Sequence, residues 1–157
     1  AVRHVHYGAQ AALTLRTELG AHALGHESVH DIELRVYPEA QQYCGNRAPA
    51  TVLAAQFSLS HGVAAALVHG DLSPAEFRAP RFMDAAVRRV EPLVRIVVDA
   101  QAFPPPARGA LLSVQAGGRS WQARCHSLAG DPGMQPTPAA VQDKFRRYTQ
   151  DDPALRD

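Results

Sequence analysis

The chain has 157 residues, of which 46% are hydrophobic and 20% charged, with a net charge of +1. That composition suits one soluble globular domain with a sizeable core, and it gives no electrostatic pull toward nucleic acid or anionic lipid. The longest apolar stretch, Gly62 to Val68, is too short to cross a bilayer.

The chain opens AVRHVHYGAQAAL, with neither an initiator Met nor a charged-then-apolar signal pattern. We read it as a cytoplasmic protein and as part of a longer one. His4 and His6 frame Val5; on a strand both imidazoles would point the same way, but no third ligand falls at a metal-site spacing. No bound metal is therefore expected. The recurrence of Ala12, Leu15 and Leu19 predicts a helix over residues 8–19, with Gly20 just past its end. HALGHESVH then reads as a polar loop. In IELRVY the apolar face Ile32, Leu34 and Val36 alternates with Glu33, Arg35 and Tyr37, the pattern of a half-buried strand. Pro38 stops it, a short helix follows over EAQQYC, and GNRAP turns the chain.

The run QFSLSHGVAAALVHG predicts a helix from Gln56, closed by Gly70, with His61 on its small-residue face beside Phe57, Ala64, Ala65 and Val68. Two readings of His61 compete. One is a core histidine, which must find a hydrogen-bond partner or suffer desolvation of about 1–3 kcal/mol; the other is a functional group offered to a cleft. Ser58 and Ser60 lie too near His61 in sequence to build a catalytic triad. Residues 71–81 are loop-like, with Pro74 and Pro80; Asp84 is placed to cap a short helix over AAVRRVEPLV. VRIVVDA is a second strand, and the prolines at 104–106 form a rigid connector. ALLSVQ and SWQARCHS flank Gly117-Gly118, the strongest hairpin signal in the chain. It puts Leu112 and Val114 on one face with Trp121, Ala123 and Cys125. GDPGMQPTP is loop, and AAVQDKFRRY a last helix.

This order has no repeated β-α-β alternation, which argues against a doubly wound sheet. The expected fold is α+β: an antiparallel sheet of about four strands with helices packed on one face, a two-layer sandwich. Residues 1–136 are expected to form one small domain and 137–157 the start of a helix leading to another. Cys44 and Cys125 lie outside any CxxC spacing and are expected to be reduced. Zinc-site, P-loop, GxGxxG, GxSxG and HExxH motifs do not occur. Lys144 is the only lysine, so the chain offers no Schiff-base lysine outside its C-terminal segment. Arg88-Arg89 and Arg146-Arg147 read as solvated helix faces.

The stretch CGNRAPATVLAAQFSLSHGVAAALVHG, with His6-x-x-x-Gln10-Ala11-Ala12-Leu13 before it and Gly130-Asp131-Pro132, Pro136 and Lys144-Phe145 after it, resembles the MmgE/PrpD family. That family includes 2-methylcitrate dehydratase, cis-aconitate decarboxylase and iminodisuccinate epimerase. The resemblance covers nearly the whole chain and corresponds to the family's smaller α+β domain. It implies a cofactor-independent lyase or isomerase acting on a small di- or tricarboxylic acid, with no metal or organic cofactor. It also implies an absent helical domain as partner, assembly into a homo-oligomer, and little activity for this chain alone. By the same resemblance His6 is an active-site histidine and His61 stands where an active-site Tyr is common, so both are expected to face the cleft as catalytic residues. Gln10 replaces a usual Asp. Arg3, His4 and Ser58 are candidate substrate contacts, although Arg3 reads more simply as an ordinary surface arginine. The rival reading is a non-catalytic lid, dimerisation or small-molecule binding domain whose histidines are structural.

Overall fold

The computed structural model describes residues 1–19 and 28–149, in two compact units, Ala1–His126 and Ser127–Asp157. Gly20 and most of the expected HALGHESVH loop lie outside the described residues.

The first unit begins with helix α1 (Arg3–Leu19), which starts five residues before the expected Gly8. Strand β1 (Val29–Val36) takes in Val29 and His30 from the expected loop. It ends one residue early, because Tyr37 turns to precede α2 (Pro38–Cys44), where Pro38 has no amide hydrogen to lose. Tyr37 is therefore buried at 2% exposure, not on the polar face of the strand. The QFSLSHG run is not one helix. It divides into the end of α3 (Val52–Gln56) and α4 (Leu59–His69). Ser58 causes the break: its backbone is extended and its Oγ accepts the His61 amide at 3.1 Å, an N-cap that starts a new helix. Gly70 closes α4 in the left-handed conformation, φ 72°. Two 3-10 turns, Pro74–Phe77 and Arg81–Met83, occupy the expected loop. Helix α5 (Ala85–Val90) is capped by Asp84 as predicted, with Oδ1 accepting from Ala86 and Val87.

Strands β2 (Val94–Val98), β3 (Ala110–Ala116) and β4 (Arg119–Cys125) complete one four-stranded sheet of order β2-β1-β3-β4. The fold is α+β and the sheet mostly antiparallel. β1–β3 and β3–β4 are antiparallel, and β1–β2 is parallel because four helices lie between those strands. The hairpin forms as predicted: Leu112 pairs with Ala123 and Val114 with Trp121, and Gly117 and Gly118 supply φ of 53° and 74°.

One face of the sheet carries Ile32, Leu34, Val36, Val94, Leu112 and Val114, all buried; each such side chain contributes about 1.5–3 kcal/mol by leaving water. The other face carries Glu33, which accepts from Arg35 and Arg95. α1 and α4 form the covering layer. They cross closely through two glycines: a Cβ on Gly62 would lie 2.3 Å from Val5 Cγ1, and one on Gly8 3.2 Å from Val63 Cγ2. The small residues of α4 thus serve the helix crossing and its burial, and every residue from Leu59 to Leu67 is buried.

In the second unit the Gly-Asp-Pro loop is closed by Asp131, whose carboxylate accepts the Leu128 amide at 2.7 Å. Helix α6 (Pro138–Thr149) follows, with Val141, Phe145 and Tyr148 exposed along one stripe. Among the described residues no helix is long and apolar enough to cross a membrane.

Candidate functional site

Three segments singled out in the sequence meet where α1 begins. The Val2 amide donates to the Gln56 carbonyl at 3.0 Å, tying the start of α1 to the end of α3. Ser58 Oγ donates to the Asn46 carbonyl at 2.6 Å, and Gly45 and Ser58 form an isolated bridge. The AVRHVH start, the CGN turn and the FSL step are thereby held together.

His4 and His6 stand on a helix, not a strand, so two residues of separation turn them about 200° apart about its axis. The shared orientation expected of the HxH pair is lost. His4 turns toward α2: Nδ1 lies 2.5 Å from the Tyr37 hydroxyl, and its ring stacks on Tyr43 and tilts against Tyr37. Burial, opposed in part by the Arg108 charge, raises the Tyr37 phenol well above its usual range. The phenol therefore keeps its proton and donates it to His4 Nδ1. Burial, and after it the positive charge of Arg108, lowers the pKa of His4, with Glu39 opposing. A neutral imidazole with its hydrogen on Nε2 is the state these neighbours favour.

His6 is partly buried, and its Nε2–H donates to the Ala1 carbonyl at 3.2 Å. That bond selects the tautomer whose basic nitrogen is Nδ1. Gln10 follows one turn on and is exposed. Arg3 is partly buried on the first turn of α1.

His61 and Ser58 lie elsewhere in character. Ser58 is fully buried and its hydroxyl is committed to Asn46, Ser60 and the His61 amide. His61 has no exposure. Its ring packs against Phe77 and Phe82, its Nε2 lies 3.4 Å from the Glu76 carbonyl, and its Nδ1 lies 3.5 Å from Glu91 Oε1. Among the described residues its side chain is enclosed by these groups. Its burial follows from α4 being enclosed from Leu59 to Leu67, with Val5 of α1 against Gly62 and with Phe77, Phe82 and Glu91 around the ring.

The sequence reading missed the carboxylates of this buried region. Glu76, 1% exposed, accepts from His69 Nδ1 at 2.5 Å and is paired with Arg81. Glu91, 3% exposed, is paired with Arg88 at 2.7 Å. Their one sequence signal was an acidic residue next to a hydrophobe and within two positions of a proline in each segment, SPAEF and RRVEPL. Cys44 and Cys125 are buried thiols, and burial pushes Cys44 up to about 11. Among the described residues no group of three or more His, Cys, Asp or Glu is placed to hold a metal.

A family model described as the MmgE/PrpD C-terminal domain matches residues 1–153. A search of curated proteins found no match.

Proposed function

The chain belongs to the MmgE/PrpD family, whose members are dehydratase-like enzymes, and from that premise we propose that it forms one wall of the active site of a lyase or isomerase. The substrate is a small di- or tricarboxylic acid, as in 2-methylcitrate dehydratase. The reaction is proton abstraction next to a carboxylate, followed by loss of water, loss of carbon dioxide, or reprotonation on the other face. His6 is the proton-transfer group, Nδ1 taking the proton while the Ala1 carbonyl holds Nε2–H. Arg3 and the Nε2–H of His4 serve the substrate carboxylates. Ser58 acts through position, fixing the FSL step against the CGN turn. His61 is a packing residue of this domain. A helical domain of the same protein supplies the facing wall, and the chain alone is inactive.

The observation that carries this reading is the convergence of the family-like segments at the start of α1, with a partly buried histidine among them. A second reading, a packing or dimerisation domain with structural histidines, is favoured by the enclosure of His61 and by the exposure of Tyr43 (59%), Leu53 (66%) and Phe57 (44%). One experiment separates the two. In the full-length parent protein, His6→Ala should lower kcat/KM for methylcitrate or a related acid by at least about 10²-fold with the fold retained. An unchanged rate removes His6 from catalysis and leaves the packing reading.

A further inference from the structure

A cavity of about 220 Å³ is lined by Tyr37, Glu39, Phe103, Pro105, Pro106, Ala107 and Arg108. Its frame is preset. Asp99 accepts the Ala102 amide at 2.8 Å, the Phe103 amide donates to the Asp99 carbonyl, and the Ala107 amide donates to the Pro104 carbonyl. Phe103 is 1% exposed, and Arg124 lies over its ring at 5.2 Å. Gly109 allows the segment after Arg108 to lie against that ring, since a Cβ there would come within 2.6 Å of both Phe103 Cε1 and the Cys125 carbonyl. Tyr37 is held from behind by His4 and meets Tyr7 edge-on.

Two opposite charges stand in the wall of this one cavity, and they do not neutralise one another. Arg108 and Glu39 form no ion pair or hydrogen bond with each other. Both are exposed. A guanidinium without a protein carboxylate offers a bidentate fork to an anion, and carboxylate geometry matches that fork. A carboxylate side chain accepts hydrogen bonds only, so Glu39 suits a hydroxyl on the ligand and repels a second negative charge. Tyr37, Phe103 and the two prolines give the walls between them an apolar character, which suits a short carbon body better than a compact oxyanion.

We propose that this cavity binds a small hydroxy-monocarboxylate, its carboxylate on Arg108, its hydroxyl donating to Glu39 and its carbon chain against Tyr37 and Phe103. The site is separate from His6 and stands whether or not the proposed turnover does. Occupancy has a built-in reporter: Arg108 disfavours the charged form of His4, so an anion seated on Arg108 relieves that effect and moves the titration of His4 upward.

The test is a titration of the whole chain with 3-hydroxybutyrate, butyrate and inorganic phosphate, followed by amide and imidazole NMR shifts. The proposal expects saturable binding of 3-hydroxybutyrate with a Kd on the order of 1–10 mM, ordinary for so small a ligand, and an upward move of the His4 titration. Affinity should fall at least about tenfold in Arg108→Gln and stay unchanged in Arg119→Gln at the hairpin tip. Butyrate should bind at least about threefold more weakly, and Glu39→Ala should erase that difference. Binding that survives Arg108→Gln, phosphate binding as tight as the hydroxy acid, butyrate binding as tight as 3-hydroxybutyrate, or no saturation below about 50 mM each overturns it. Because the readout is binding, its failure is distinct from a failure of the His6 turnover test.

Discussion

His61 Nδ1 and Glu91 Oε1 face each other at 3.5 Å inside the domain, and neither atom has a hydrogen-bond partner. The two observations belong together. His61 Nε2 points at the Glu76 carbonyl, which only accepts, so the ring hydrogen belongs on Nε2. In a neutral ring Nδ1 then presents a lone pair to a carboxylate oxygen, and the contact is close in distance but lacks a donor. Glu91→Gln supplies that donor as an amide hydrogen while its oxygen still accepts from Arg88. The expected outcome is stability within about 1 kcal/mol of the parent at neutral pH. Glu91→Ala takes the carboxylate acceptor from Arg88, leaves His61 Nδ1 still without a donor, and should cost about 1–3 kcal/mol. Urea unfolding of the two variants checks this, and a Gln variant as weak as the Ala variant would refute it.

The crossing of α1 and α4 admits no side chain at Gly62. A Cβ there would sit 2.3 Å from Val5 Cγ1, and both residues lie on helices with no room to withdraw. Gly62→Ala gains helix propensity of about 1 kcal/mol, yet overpacking of a closed interface costs about 1–3 kcal/mol or more. The overlap is severe enough for the second effect to win. Thermal unfolding should show Tm lowered by several degrees, on the scale of about 2–4 °C per kcal/mol for a domain of this size. Val5→Ala in the same chain should restore part of the loss.

Acid should act on the His4–Tyr37 pair before it reaches most carboxylates. His4 is held below its ordinary value of 6.5, chiefly by burial and next by Arg108. The folded state thus binds fewer protons than the unfolded one. Its contribution is fully present above the unfolded value and is lost as pH falls below about 6.5 through the lower folded value. Stability measured between pH 8 and 5 should decline on the acid side, and His4→Gln should remove that part of the slope. An unchanged slope in the variant would contradict the assignment.

What could be read in the sequence was what local pattern fixes. The Gly117-Gly118 hairpin, the alternation of Ile32, Leu34 and Val36, and the Asp84 cap all depend on neighbours a few residues away, and all formed. The split of the QFSLSHG helix at Ser58 was missed because apolar periodicity runs through Leu59 without a gap, while the break is made by one hydroxyl. The parallel pairing of β1 with β2 depends on contacts about 60 residues apart, which no local signal carries. His61 shows the same limit. Its spacing placed it among small residues, but whether that face meets solvent or Phe77 and Phe82 is decided by segments with no periodicity of their own. Arg108 and Glu39 were invisible for a similar reason: each looks like an ordinary surface charge until the fold sets both around one cavity.

The cap on α5 separates a hydrogen-bonding effect from a charge effect. Asp84 accepts from Ala86 at 2.7 Å and Val87 at 3.3 Å, and His69 Nε2 lies 3.6 Å from its other oxygen. The Ala86 bond is the main cause holding its carboxyl below the usual 3.8, against an opposing cost of burial. A depressed carboxyl contributes stability that is present above the unfolded value and lost as pH falls through the folded value. Asp84→Asn keeps a good N-cap acceptor and loses the charge, so at pH 7 it should cost only a few tenths of a kcal/mol, the solvent-screened share of the His69 interaction. Asp84→Ala removes the acceptor and should cost about 1 kcal/mol. As pH falls below about 3.8, the gap between the parent and Asp84→Ala should narrow, while the gap between Asn and Ala variants stays constant because amide capping does not titrate. Denaturant unfolding of the three proteins at pH 7 and pH 3 makes the comparison, and a constant parent-to-Ala gap would show that the carboxylate charge plays no part in the cap.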